Sequence, residues 1–305
     1  GATEANNLAL IGTMMANHKQ GNHLVVSKLE HPSVYKICNY LEKIGFEVSY
    51  VDNDEEGLID FEHLKNLIRE DTVLVSICAL NSETGIRQPL KMIRQIIKKE
   101  NQNTYFHSDM TQAVGKVSVS LNDVDMASIS SHKIFGPTGI GLFYHSERIK
   151  IYPLLFGSGI NELVPTTLSL PSIKSFEKAL VLSLNDIDKK EHFITRLNEK
   201  ICNELSKYEN LIINKTKYSI PHILSISLKK LDANIIDKML SDEDIYIKTT
   251  HNEINPSVVA VYNDVERSRE TLRISLSHKT TTEEVNKFLT EFKKAYNSVS
   301  FGGKE

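Results

Sequence analysis

The sequence lacks the features that would assign it quickly to a membrane, a nucleic acid or a metal. No uninterrupted apolar run is long enough to span a bilayer. The first residues have neither the basic start nor the apolar core of a signal peptide. No strongly basic stretch points to nucleic acid, and no block of like charge points to a solvated tail; 36 Lys and Arg against 39 Asp and Glu leave a formal net charge of −3. Cysteine is scarce. Cys38, Cys78 and Cys202 are odd in number and fit no zinc-ligand spacing, which favours a reducing, cytoplasmic setting with no metal centre. Cys38 falls on the apolar helix face of Val34, Ile37 and Leu41, and Cys78 ends the strand-like run from Val73 to Ile77. Both read as small core residues rather than nucleophiles. Internal repeats and low-complexity segments are absent.

What is present is ordinary globular composition, 40% hydrophobic and 25% charged over 305 residues, enough for two domains. The first half alternates strand and helix signals. Helices are predicted over 4–16, 33–44, 60–70 and from Pro89 to about residue 99. Strands are predicted over 24–27, 47–51, 72–78, 104–109, 125–130 and 140–144. This alternation predicts an α/β fold with a mainly parallel sheet covered by helices. The expected large domain spans 1–171. One long helical pattern over 172–208 connects it to a smaller α+β domain over 209–305. There the pattern predicts strands at 223–228, 245–248 and 271–276 and helices at 234–240 and 282–297. The opening Gly1-Ala2-Thr3-Glu4 reads as a loop feeding a helix, of the kind that normally follows a strand, so an N-terminal part is expected to be missing.

Three segments carry chemistry. Gly1-Ala2-Thr3 offers backbone N–H groups and a hydroxyl at a helix start, an anion site, although Thr is also a plain helix cap. The strand ending His107-Ser108-Asp109 delivers a carboxylate to the ligand-facing edge of an open α/β sheet. Such a carboxylate can pair with a protonated pyridine nitrogen, the usual partner of pyridoxal phosphate, or can simply bond a nearby amide. Ser130-Ser131-His132-Lys133 ends another strand and runs into the turn Gly136-Pro137-Thr138-Gly139. A lysine that forms a Schiff base must be able to lose its proton, and the adjacent hydroxyls and imidazole suit a phosphate.

Together with Glu30-His31-Pro32-Ser33 and Asn81-Ser82-Glu83-Thr84-Gly85, and with Gln112 after Asp109, these segments resemble the cysteine desulfurase family, in order and over nearly the whole chain. That family belongs to the class V aminotransferases and has the aspartate-aminotransferase-like fold type I. The resemblance implies a pyridoxal 5'-phosphate cofactor bound covalently through Lys133. It implies that Asp109 pairs with the ring nitrogen, Gln112 bonds the ring hydroxyl, and His31 stacks on the ring and moves protons. Ala2, Thr3, Ser130 and His132 would hold the phosphate, and Asn81 would lie near the ring and the substrate carboxylate. Arg273 would bind that carboxylate, a task suited to a bidentate guanidinium. Thr167 would touch the phosphate of the neighbouring subunit, which makes the protein a homodimer. The implied reaction converts L-cysteine to L-alanine and passes sulfane sulfur to an acceptor protein for iron–sulfur cluster or thio-cofactor assembly.

The sequence departs from the family in two further places. The family's mobile loop carries a cysteine that becomes a persulfide, whereas the matching stretch here, Ile245 to Ser257, contains none, and no cysteine follows Cys202. Where the family has an arginine just before its Thr-Leu, this chain has Asn161-Glu162-Leu163-Val164-Pro165. Two explanations fit the missing thiol: the natural protein carries a loop that this sequence omits, or the persulfide route is closed. In the second case two alternatives stand beside desulfuration. One is a lyase or aminotransferase-like activity on another amino acid. The other is an inactive family member that acts by binding a partner.

Overall fold

The strands in the first half are runs of about five residues, and two of them are dominated by β-branched and apolar side chains, Leu24-Val25-Val26 and Val73-Leu74-Val75. In the computed structural model, which describes residues 1–159 and 161–301, these runs form one six-stranded sheet. Its strands are β1 (His23–Ser27), β2 (Glu47–Val51), β3 (Thr72–Ser76), β4 (Tyr105–Asp109), β5 (Met126–Ser130) and β6 (Gly141–His145). Their order is β2-β1-β3-β4-β5-β6. All neighbours are parallel except β6, which lies antiparallel on β5. Strands β1, β3 and β5 are buried along their whole length, which is why β1 and β3 read as near-continuous apolar runs rather than alternating ones.

Helices supply the covering layers. The chain begins with α1 (Ala2–Asn7), passes through a π-helical turn at Leu8–Gly12 and continues as α2 (Thr13–Ala16). Then follow α3 (Pro32–Lys43), α4 (Phe61–Leu67) and α5 (Leu90–Glu100). Ala9, Leu10 and Met14 pack with Val34, Ile37, Cys38 and Leu41 of α3 against Leu24 and Val26 of β1, so one apolar stripe of each helix meets one face of the sheet. Asp125, at the start of β5, is buried yet ionised. Burial opposes its charge, but Lys98 and Arg94 at 2.9 and 2.8 Å hold its carboxyl below the usual range.

The expected single helix over 172–208 is corrected to two: α6 (Leu170–Leu184) and α7 (Ile187–Leu205). The break is at Asn185-Asp186, where Asp186 takes φ 53°, a left-handed conformation that short polar side chains tolerate. The chain divides into two units nearby. The first comprises Gly1–Asp54, Leu58–Asn81 and Arg87–Ile187. The second comprises Glu55–Gly57, Ser82–Ile86 and the residues from Asp188 onward.

The second unit holds a four-stranded sheet of β7 (Leu211–Asn214), β8 (Ile223–Leu228), β9 (Lys248–Thr249) and β10 (Thr271–Ser275), ordered β7-β8-β10-β9 and antiparallel throughout. Its helices are α8 (Ala233–Ser241), α9 (Pro256–Tyr262), α10 (Val265–Arg269) and α11 (Thr282–Phe301). Ile194, Leu197 and Ile201 of α7 join Phe288 and Phe292 of α11 in its core. The strand expected over 245–248 is only the two residues of β9, because Ile245 and Ile247 pack sideways into this core instead of pairing. Helices α9 and α10 and strand β7 were not predicted. Among the described residues no helix is long and apolar enough to cross a membrane.

Candidate active site

In the six-stranded sheet, β1 is flanked by β2 on one side and by β3 on the other, so the chain reverses direction across the sheet at β1/β3. Ligands of open α/β sheets bind beyond the strand C-termini at such a reversal. The chemistry-bearing segments of the first unit lie there: Ser27 to Ser33 after β1, Cys78 to Asn81 after β3, Asp109 to Gln112 at the end of β4, and Ser130 to Lys133 at the end of β5.

Hydrogen bonds tie these strand ends together. Asp109 is 8% exposed; its Oδ2 accepts from Asn6 Nδ2 at 2.9 Å and its Oδ1 from the Thr111 N–H at 2.9 Å. Both donors are neutral, so the buried carboxylate has no cation partner among the described residues. The same Asn6 Nδ2 reaches Ser33 Oγ at 3.1 Å. Ser33 in turn lies 2.9 Å from His31 Nδ1. His31 caps α3 by accepting from the Ser33 N–H, which requires an Nδ1 lone pair and puts the ring proton of neutral His31 on Nε2. Asn81 is buried and donates from Nδ2 to the Leu29 carbonyl at 2.8 Å. Gln112 Oε1 accepts from Lys116 Nζ.

At the end of β5, Ser130 Oγ and His132 Nδ1 are 2.7 Å apart. Burial and the neighbouring Lys133 push His132 below the ordinary histidine value. Lys133 itself is exposed on a 3-10 turn, Ser131–Ile134, that follows the strand directly. Two glycines make the approach of backbone possible here. A Cβ on Gly136 would fall 2.1 Å from Ser131 Oγ, and one on Gly141 would fall 2.6 Å from the Gly1 carbonyl carbon. The contact at Gly141 brings the start of α1 to the β5/β6 edge. No side chain caps α1, so the Ala2 and Thr3 N–H groups face outward from its first turn. Thr167 lies on the exposed stretch before α6, and no hydrogen bond among the described residues links it to this web. Arg273 belongs to the second unit, on β10.

Comparison with known proteins decides what this arrangement is. The family description "Aminotransferase class-V" matches residues 1–288. The chain is 35% identical over 295 residues to the cysteine desulfurase IscS of Buchnera aphidicola subsp. Schizaphis graminum, covering 93% of this chain and 72% of that one. The chain belongs to the class-V aminotransferase family. Within it, the mitochondrial cysteine desulfurase of Saccharomyces cerevisiae is 33% identical over 324 residues, 99% of this chain and 64% of that one. A solved structure of a NifS-like protein superposes with a TM-score of 0.92 at 31% identity, over 97% of this chain and 80% of that one. The resemblance to the cysteine desulfurases and the fold class read from the sequence are thus borne out. Cysteine desulfurases and class-V aminotransferases use pyridoxal phosphate, so the protein is a pyridoxal-phosphate-dependent transferase of the cysteine desulfurase type.

The residues present fit that cofactor. A buried carboxylate bonded only by neutral dipoles suits a protonated ring nitrogen. The buried hydroxyls of Thr111 and Ser131 have no hydrogen-bond partner among the described residues. An amine, a hydroxyl, an imidazole and an uncapped helix start converge at one strand end, the donor set a phosphate and an aldehyde require.

Glu30 was part of the sequence motif but was given no role. It is 4% exposed, and its Oε1 accepts from Ser27 Oγ and from the Cys78 N–H, both at 2.6 Å. It therefore clasps the β1 end to the β3 end beneath His31. Burial pushes its carboxyl from 4.5 up to about 8, with the Asp109 charge adding to the rise. The folded protein then holds a proton on Glu30 that the unfolded chain has lost, across the window from 4.5 to about 8. Stability from this group is full below that window and is lost as pH rises through it, at ~1.4 kcal/mol per pH unit. Glu30→Gln keeps the acceptor but cannot titrate. Urea denaturation of both proteins should show the wild type losing ground to the variant as pH rises from about 5 to about 8. A pH-independent difference would show Glu30 to be ionised in the fold.

Proposed function

We propose that this protein removes sulfur from L-cysteine, leaving L-alanine and sulfane sulfur for an acceptor protein in iron–sulfur cluster or thio-cofactor assembly. The observation that carries the reading is Asp109, a buried carboxylate bonded only by neutral donors one strand away from the Lys133 turn. Pyridoxal phosphate bound there supplies an electron sink that weakens bonds at the α-carbon of an amino acid. Lys133 holds the cofactor covalently and moves the proton at that carbon. His31 stacks on the ring and, with its Nε2–H, exchanges protons with the substrate. Gln112 offers its amide N–H to the ring hydroxyl, since Lys116 occupies its Oε1. Ala2, Thr3, Ser130 and His132 grip the phosphate, and Asn81 lies beside the ring. Arg273 takes the substrate carboxylate. The residues assigned to the cofactor belong to the first unit, and Arg273 belongs to the second.

A homodimer is part of the proposal, with Thr167 reaching the partner's phosphate. Leu155, Phe156, Leu168 and Leu170 support it: these large apolar side chains are exposed, Leu168 and Leu170 directly follow Thr167 in the chain, and exposed apolar groups of this size suit a covering surface. The unpaired Cys38, Cys78 and Cys202 agree with a reducing, cytoplasmic setting.

A second reading, a lyase or aminotransferase-like activity without a persulfide, is favoured by the thiols. Burial pushes Cys38 up to about 12, Cys78 well above its ordinary value, and Cys202 upward. None is an activated thiolate. Assaying alanine and sulfide from L-cysteine with an added reductant separates the two. Equal yields of both products are expected. No turnover of cysteine while another amino acid reacts would establish the second reading.

A further inference from the structure

Arg273 and Lys248 stand directly opposite each other where β10 pairs with β9. Like charges in that position repel and weaken an antiparallel pair. One carboxylate is set between them: Glu83 Oε1 accepts from Lys248 Nζ at 2.7 Å and from Arg273 Nη1 at 2.8 Å. Arg273 Nη1 also donates to the Ser82 carbonyl at 3.1 Å, and Arg273 Nε is buried with no acceptor among the described residues. All these residues belong to the second unit. The Arg273 and Glu83 side chains are 21% and 17% exposed, whereas Lys248 is 55% exposed.

Stability does not explain Lys248. An ion pair to a lysine this exposed is screened by water and contributes little, and the cross-strand repulsion works against it. Charge balance does. Glu83 paired with Arg273 alone would leave a neutral site, and an incoming anion would meet an arginine already compensated. With Lys248 sharing the same oxygen, the three side chains sum to one positive charge. The guanidinium keeps a buried N–H that lacks an acceptor among the described residues.

We propose that Lys248 is a specificity-determining residue: by sharing Glu83 with Arg273 it leaves the three-residue cluster one net positive charge, so that the site selects an amino acid with a free carboxylate over its neutral amide. The inference rests on the reading that Arg273 binds the substrate carboxylate. It deepens that reading by naming what sets the selectivity.

The test titrates the holoenzyme with L-alanine and with L-alaninamide and follows the visible absorption of the bound cofactor. The readout is the ratio of the two apparent Kd values. Lys248→Met should lower the preference for alanine on the order of tenfold, with alaninamide binding unchanged. Lys248→Arg should keep the wild-type ratio. The double variant Glu83→Gln/Lys248→Met again leaves one positive charge, and its ratio should return to within about twofold of wild type. An unchanged ratio in Lys248→Met overturns the proposal. So does equal weakening of both ligands, which a collapse of β9 would produce, and so does a double variant that fails to recover. Arg273→Met separates this outcome from failure of the parent reading. If that variant keeps the wild-type ratio, the carboxylate is held elsewhere. If it loses the ratio while Lys248→Met does not, only the role of Lys248 falls.

Discussion

Lys133→Ala should yield a folded but colourless protein, whereas the wild type, loaded with pyridoxal phosphate and freed of excess by gel filtration, stays yellow. The expectation follows from position. Lys133 sits on the turn that leaves β5, beside the Ser130–His132 pair and the uncapped start of α1 that suit the phosphate. Its side chain is exposed, so its removal takes nothing from the core. The variant should therefore unfold near the wild-type urea midpoint while losing the absorption of a lysine-bound cofactor. Turnover of any amino acid should fall by about a thousandfold or more, because the same amine also carries the proton at the substrate carbon. Borohydride reduction of the loaded wild type, followed by peptide mass analysis, should locate the added mass on the peptide containing Lys133. A wild type that stays colourless with excess cofactor would remove the cofactor from the site. A Lys133→Ala protein with an unchanged spectrum would move the attachment to another lysine.

The parts of the fold and site that were legible in the sequence are those written locally. Each strand of the first sheet is a short run closed by a polar cluster, and the polar clusters are the site. Asp109 and Lys133 were found for that reason: a carboxylate and an amine at strand ends stand out against the buried residues before them. The partners that hold them were not legible. Asn6 meets Asp109 across 103 positions, and Glu30 meets the Cys78 amide across 48. Nothing in either local sequence announces the contact. Glu30 carried one usable signal, a carboxyl directly after the buried Leu29 and before the cap of α3. The break between α6 and α7 was missed because apolar residues keep helical spacing through it, although Asn185-Asp186 is the kind of pair that leaves a helix. Helix α9 was missed despite clear marks: Asn255 caps it by accepting from the N–H groups of Ser257 and Val258, and Pro256 opens its first turn. Lys248 could not have been singled out, since its meaning depends on the register that sets it against Arg273.

Asp109→Asn should cost nearly as much as the loss of the lysine, and it tests a different physical point. The asparagine keeps the shape of the carboxylate and can still accept from the Thr111 N–H, but it loses the charge and the second acceptor that faces Asn6 Nδ2, a loss that Asn6→Ala calibrates separately. If the ring nitrogen is protonated by virtue of that charge, turnover should fall about a hundred- to a thousandfold while the protein still takes up cofactor more weakly. Asp109→Glu, which keeps the charge but misplaces it, should recover part of the loss. Asn6→Ala, which removes one neutral donor and leaves the charge, should cost about tenfold at most. The order Asn6→Ala, Asp109→Glu, Asp109→Asn from mild to severe identifies charge as the working property. An Asp109→Asn enzyme with near wild-type turnover would leave Asp109 as a structural carboxylate tying β4 to α1. A cofactor-free readout comes from Glu30. The Asp109 charge helps hold the Glu30 carboxyl up, behind the larger effect of burial. In Asp109→Asn the pH-dependent loss of stability assigned to Glu30 should therefore still begin near 4.5 but end at lower pH than in wild type, with a smaller total loss. That shift would be seen by urea denaturation of the apoprotein, with no cofactor bound. Its absence would mean that Asp109 does not act on Glu30 and that burial alone holds the Glu30 carboxyl up.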